Sequence, residues 1–345
     1  MNYRDEFRDM LENTRISRHS SQEEIKQQAL LLTQFVSTNI PNQLYKFRSC
    51  TENSLSAFEK GELWLSKASL FNDLHDSLFY FDKSAILEMI EKQFSSGKVL
   101  SMIEAMQQGR YSDVELQRLV TKEFPSYDTK TLVAIAHQSV SGYSDLLEQC
   151  FKSAKDGIRD NIKMVCLSES IKSPLMWAHY ADNHKGFALG YDFRNYDITQ
   201  CSYCPNRSCP NMKFGTIYPV IYSNKRYDAT RYGQWVVQQY IRRLLGISEE
   251  SFEDSFLLYN AALHKSKDWA YEKEWRIICT TINSAEQQKD GFSIKKPPVA
   301  IYFGQQIPDY YQRILTEIAE KYGIPKYRMY VKDYSSQYEL DFEPI

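Results

Sequence analysis

Short runs of β-character lie scattered between helical stretches along this chain of 345 residues, with no regular strand–helix–strand spacing. That distribution argues against repeated βαβ units and for an α+β fold around a mixed, mostly antiparallel sheet with helical insertions. Alternation of side chains marks strands at 44–48 and 62–66, joined by a helix over 53–60 that Gly61 terminates. A turn is expected at Phe71-Asn72-Asp73. Further strands are expected at 164–167, 186–191, 217–222, 275–280, 299–303 and 329–332, with helices at 175–180 and 309–322. Residues 1–40 read as a helical arm: Ser20 and Ser21 precede Glu23 and Glu24 as a cap, Ile25, Leu30, Leu32 and Phe35 form an apolar stripe, and Pro41 ends it. Residues 41–345 then make one α+β domain, with a helical insertion at about 80–160, a cysteine-rich loop at 200–215 and a helical segment at 228–265.

Charge and cysteine usage narrow the function classes. With 42 Lys+Arg against 44 Asp+Glu, no broad basic stripe for duplex nucleic acid is advertised. No run approaches the roughly 18 apolar residues of a membrane span, and MNYRDEFRDM does not read as a secretory signal. Seven cysteines, an odd number, fit a reducing compartment, so a cytoplasmic protein without a membrane partner is expected. The 25 tyrosines and 18 phenylalanines read first as core packing, and only second as a stacking platform for bases.

Four groups of residues could carry chemistry, each with a plainer alternative. In Trp269-Ala270-Tyr271-Glu272-Lys273-Glu274-Trp275-Arg276, a strand would put Glu272, Glu274 and Arg276 on one face. That is either a surface ion-pair ladder or a carboxylate pair that stabilises positive charge at an anomeric carbon. Lys46 and Arg48 share one face of the strand 44–48, as a solvated basic face or as a grip on a diphosphate. His179 and Tyr180 either anchor the segment 174–187 or line a ligand pocket. Cys201, Cys204 and Cys209 resemble a zinc knuckle one ligand short, and a structural zinc and a set of free thiols stand as equal readings. Walker, G-x-G-x-x-G, G-x-S-x-G and calcium-loop motifs are absent, and 13 glycines leave little room for a Gly-rich phosphate cradle.

Three segments, LYKFRS…ENSLSAFEKGELWLSKASLFND at 44–73, PLMWAHYADNHKGFALGYDF at 174–193 and KDWAYEKEWRII at 267–278, resemble the prokaryotic family known as domain of unknown function 2971. The opening strand–helix–Gly–strand run more distantly resembles ADP-ribosyltransferase-like folds, including DarT-type toxins and tRNA 2′-phosphotransferases. That second resemblance implies NAD as substrate, Glu274 as the catalytic carboxylate assisted by Glu272, and Lys46 or Arg48 in the place of the residue that holds ribose or diphosphate. Lys46 stands where those folds carry His. His179, Tyr180 and Arg276 would complete the pocket. The expected activity is ADP-ribosyl transfer to a nucleic acid or protein, or NAD hydrolysis, in a toxin or antiphage setting. The alternative is a non-catalytic binding or regulatory module, nucleic-acid-binding through a zinc-stapled loop.

Overall fold

The computed structural model describes residues 2–14, 20–94, 140–195, 197–199, 201, 209, 211–244, 256–281 and 284–345. Its strands, in chain order, are β1 (Leu44–Arg48), β2 (Glu62–Lys67), β3 (Lys163–Ser168), β4 (Phe187–Tyr191), β5 (Lys213–Pro219), β6 (Ile221–Ser223), β7 (His264–Ser266), β8 (Glu274–Thr281), β9 (Gly291–Lys295), β10 (Ala300–Phe303), β11 (Lys326–Val331) and β12 (Leu340–Pro344). Ten of them form one sheet in the order β12-β11-β10-β4-β1-β3-β2-β9, with β8 on β3 and β5 on β8. Every pairing in it is antiparallel except β10 with β11, so the sheet is mixed and mostly antiparallel within an α+β fold. A separate parallel pair joins β6 to β7.

The pairing of β3 creates an opening. One edge of β3 is filled along its whole length by β8, from Lys163↔Cys279 to Ser168↔Glu274. The other edge is shared: β2 takes its first two residues (Lys67↔Lys163, Ser66↔Met164) and β1 takes its last (Tyr45↔Ser168). Residues 165–167 therefore face a split between β1 and β2. A backbone carbonyl on such an edge must find another donor; that of Cys166 accepts Lys46 Nζ at 3.0 Å.

Apolar residues sort to the two sides of the sheet. Leu44, Leu63, Leu65, Val165, Trp275 and Ile277 pack with Leu315, Ile318 and Ala319 of the helix Asp309–Tyr322. On the other side Met164 and Ile278 meet Phe7, Phe35, Phe151 and Val237, which belong to the helices Tyr3–Asn13, Gln22–Asn39, Val140–Asn161 and Thr230–Leu244. Because β8 is buried on both faces, its charged residues have no access to bulk water and must be paired inside.

Several local expectations hold. Ser21 and Glu24 form a capping box on the helix Gln22–Asn39, and the helices Glu52–Glu59 and Pro174–Tyr180 lie where spacing put them. Gly186 immediately precedes β4, in a turn where Asp182, Asn183 and His184 take positive φ. A Cβ there would stand 2.1 Å from the Arg48 carbonyl, so only glycine lets this turn close on β1. Other expectations are corrected. The strand expected at 217–222 is two strands, β5 and β6, broken at Pro219–Val220, where proline has no N–H to give a ladder. The segment 228–265 is helical over Thr230–Leu244 and Leu257–Leu263, but its end is the strand β7. In the insertion, Lys83–Phe94 and Val140–Asn161 are helices; 95–139 lie outside the described residues. No helix among the described residues is long and apolar enough to cross a membrane.

Candidate functional site

A cavity of about 260 Å³ occupies the split, lined by Lys46 and Phe47 from β1, Ser66 from β2, and Cys166 and Leu167 from β3. Its remaining wall holds Asn72, Asp76, Tyr180, Lys265, Glu272 and Glu274. Two carboxylates thus reach the cavity from one short stretch of chain, although not in the way a continuous strand would deliver them. Glu272 closes the 3-10 turn Lys267–Glu272, Lys273 follows in the left-handed region (φ 45°, ψ 53°), and β8 begins at Glu274. The turn at Lys273 swings the Glu272 side chain onto the same group that Glu274 meets. Lys265 Nζ donates to Glu272 Oε2 at 2.6 Å and to Glu274 Oε2 at 3.1 Å.

Arg276, two residues along β8 on the face of Glu274, completes the pairing. Its Nε donates to Glu274 Oε1 at 2.8 Å, and Nη1 and Nη2 donate to the two oxygens of Asp76 at 2.8 and 2.5 Å. Such a bidentate grip is the geometry guanidinium suits best. Tyr180 OH donates to Glu272 Oε1 at 2.6 Å. Lys265 Nζ also lies 4.9 Å from the Trp269 ring centroid.

Three carboxylates, Asp76, Glu272 and Glu274, here face two cations, Lys265 and Arg276, and the surplus negative charge falls unevenly. Burial pushes the Glu274 carboxyl up, but Arg276 and Lys265 more than offset it and hold Glu274 well below the usual carboxylate range. Glu272 moves the other way: burial and the charge of Glu274 raise its pKa against the pull of Lys265. Burial disfavours the charged form of Lys265, yet Glu274 and Glu272 outweigh it and keep the ammonium protonated. The pair is therefore differentiated into an ionised carboxylate and one that holds a proton more readily.

The backbone of Glu274 is fixed from both sides. Its N–H donates to Tyr222 Oη at 2.8 Å, while its carbonyl accepts Val220 N–H at 2.9 Å and Arg4 Nη1 at 2.8 Å. Arg4 also donates to the Val220 carbonyl at 2.7 Å and to Glu169 Oε1, which further accepts Tyr3 OH and, at 2.7 Å, Trp275 Nε1. The helix Tyr3–Asn13, at the start of the expected helical arm, thus contacts the back of the site through Arg4 and Tyr3.

The expected site residues separate into those that meet and those that do not. Glu272, Glu274, Tyr180 and Lys46 line one cavity, and Arg276 stands behind it as the partner of Glu274. Arg48 lies beyond the lining; its Nε is buried without a hydrogen-bond partner, and burial lowers its pKa. His179 is exposed, its ring 6.4 Å from that of Tyr180 and 6.1 Å from that of Tyr271. Cys201 and Cys209 bring their sulfurs within 3.5 Å, and Cys204 lies outside the described residues. Among the described residues no group of three or more His, Cys, Asp or Glu could hold a metal ion.

Asp76, Lys265, Cys166 and Tyr222 were not singled out by the sequence. Lys265 carries a usable signal in hindsight, because two carboxylates on one buried stretch demand a cation nearby. Asp76, 200 residues from Arg276, carries none.

Residues 176–277 match the family model described as "Protein of unknown function (DUF2971)". The match takes in Tyr180, Lys265, Glu272, Glu274 and Arg276, and leaves out Arg4, Lys46 and Asp76. No curated protein and no solved structure matches the chain.

Proposed function

We propose that the cavity, much of whose lining lies in the 176–277 segment that matches the family of unknown function, is a nucleotide site in which Glu274 and Glu272 open an N-glycosidic bond, with NAD as the substrate. The observation that carries this reading is the differentiated pair. Glu274, held ionised by Arg276 and Lys265, stabilises the positive charge that develops at the anomeric carbon. Glu272, whose raised pKa lets it take and return a proton, deprotonates the incoming hydroxyl of an acceptor or of water. The cavity, at about 260 Å³, is smaller than the roughly 300–1,000 Å³ of most ligand pockets. That size suits a nicotinamide–ribose half, with Tyr180 beside the ring. The diphosphate would fall toward Lys46 and Arg48. A nucleic-acid or protein acceptor, and a role in toxin action or antiphage defence, follow from the same reading.

The test is nicotinamide release from NAD, with and without nucleic acid, by the full chain and by Glu274→Gln. Turnover by the wild type that falls by about 100-fold or more in the variant supports it. Absence of turnover in folded wild-type protein sinks it.

A second reading has one observation in its favour. The charges of Asp76, Glu272, Glu274, Lys265 and Arg276 largely close on one another, as a structural network would. In that case the chain is a binding or regulatory module, nucleic-acid-binding if the Cys201, Cys204 and Cys209 loop is stapled by zinc. One equivalent of zinc in purified protein, lost on mutation of Cys204, would favour it.

A further inference from the structure

Lys46 is the cation of the cavity that the carboxylate network does not use. Its side chain lines the split with Glu272 and Glu274, and its Nζ donates to a neutral carbonyl, that of Cys166, at 3.0 Å. No carboxylate among the described residues makes an ion pair with it, whereas Lys265 has three within 4.0 Å. Arg48, two residues along the same strand face, adds a like charge. Desolvation, the largest influence, and that neighbour both favour the neutral amine; Cys166, Glu274 and Glu272 oppose them, and the balance lowers the pKa of Lys46. A desolvated lysine beside another cation is the environment that turns an ammonium into a nucleophile. Moving one proton from Lys46 to Glu272 would also remove the surplus charges from both ends of the cavity.

We propose that Lys46 is an imine-forming amine and that the cavity accepts the open-chain carbonyl form of a small aldose or aldose phosphate. The Nζ lone pair attacks the carbonyl carbon, forming a C–N bond while the carbonyl π pair moves to oxygen, which takes up one of the two amine protons. The carbinolamine then loses its hydroxyl as water, protonated by the Glu272 carboxyl, to leave an iminium C=N bond in equilibrium with the neutral imine as its N–H proton passes to the Glu272 carboxylate. Hydroxyl groups of the sugar find acceptors in Glu274 and Asp76 and donors in Lys265 and Asn72, which line the same space. The inference goes beyond N-glycosidic cleavage and does not require it.

The experiment incubates the full chain with D-ribose 5-phosphate and sodium cyanoborohydride, which donates hydride to the imine carbon and fixes a secondary amine. Peptide mass spectrometry then follows the gain of one aldose less one oxygen atom at each lysine. The expected result is modification of the peptide carrying Lys46 at least tenfold faster than any other lysine. That site should be lost in Lys46→Arg and slowed about tenfold in Glu272→Gln, which keeps the amine but removes the acid. Modification no faster at Lys46 than at surface lysines of folded wild-type protein overturns the inference. So does an undiminished rate in folded Glu272→Gln, because the acid then plays no part. Nicotinamide release on the same preparation keeps the two readings apart: labelling of Lys46 without NAD turnover sinks only the N-glycosidic reading, and turnover without labelling sinks only this one.

Discussion

Burying a carboxylate costs several kcal/mol unless a cation and hydrogen bonds meet it, and at Glu274 both requirements are met by Arg276 together with Lys265. The guanidinium is wholly buried, and it joins Glu274 to Asp76, which lies 200 residues before Arg276 in the chain. Replacing Arg276 by Met, which fills similar space without charge, leaves two buried carboxylates short of donors. A loss on the order of 3–5 kcal/mol in denaturant unfolding is expected; a loss under about 1 kcal/mol would mean the network contributes little. His264 gives a second residue-scale prediction. Burial holds its pKa near 4 against an ordinary 6.5, and its Nδ1 lies 2.7 Å from the Asn260 carbonyl. The unfolded chain therefore binds the extra proton first, so this stability is complete above pH 6.5 and is lost as pH falls from 6.5 toward 4. The full span is about 3 kcal/mol. Thermal unfolding of His264→Gln should show a flatter decline across that window than the wild type; an unchanged slope would assign the decline to other groups.

At the scale of elements, the helix Tyr3–Asn13 is held against the start of β8 by one arginine. Its apolar residues Phe7 and Leu11 are buried, but Arg4 decides where it docks, because two of its bonds go to backbone carbonyls at the start of β8. Arg4→Met should cost about 2–3 kcal/mol, since Glu169 loses its charged partner and two buried carbonyls lose a donor; a change below about 0.5 kcal/mol would return the helix to the status of an appendage. β1 and β2 were legible from local alternation beside a clear turn or cap, and β3 and β4 as short, largely apolar runs. β9 and β12 were not: each is five residues long, and β12 ends in a proline, so their strand character comes from β2 and β11 rather than from their own pattern. The site divides in the same way. Glu272, Glu274, Tyr180 and Lys46 stood out by residue type within compact segments, whereas Asp76 and the split that exposes Lys46 depend on pairings between distant strands.

Across the whole molecule, function and fold meet at the place where the sheet fails to close. β1 and β2 share one edge of β3 without covering its middle, and the gap becomes a cavity whose walls carry five charged residues. A backbone change on the opposite edge of β1 should displace the wall that carries Lys46: Gly186→Ala, which forces β1 and β4 apart, is expected to destabilise by about 2–3 kcal/mol and to weaken any ligand of the cavity. A calorimetric loss of that size with ligand affinity intact would separate the turn from the site. The central claim is that one cavity holds two carboxylates driven in opposite directions. It is tested most directly by 13C-NMR titration of the side-chain carboxyls of Glu272 and Glu274, assigned with Glu272→Gln and Glu274→Gln. Glu272 should titrate above the ordinary glutamate value of about 4.3, and Glu274 should stay ionised through that range. Two ordinary titrations, or the reverse order, would contradict the account.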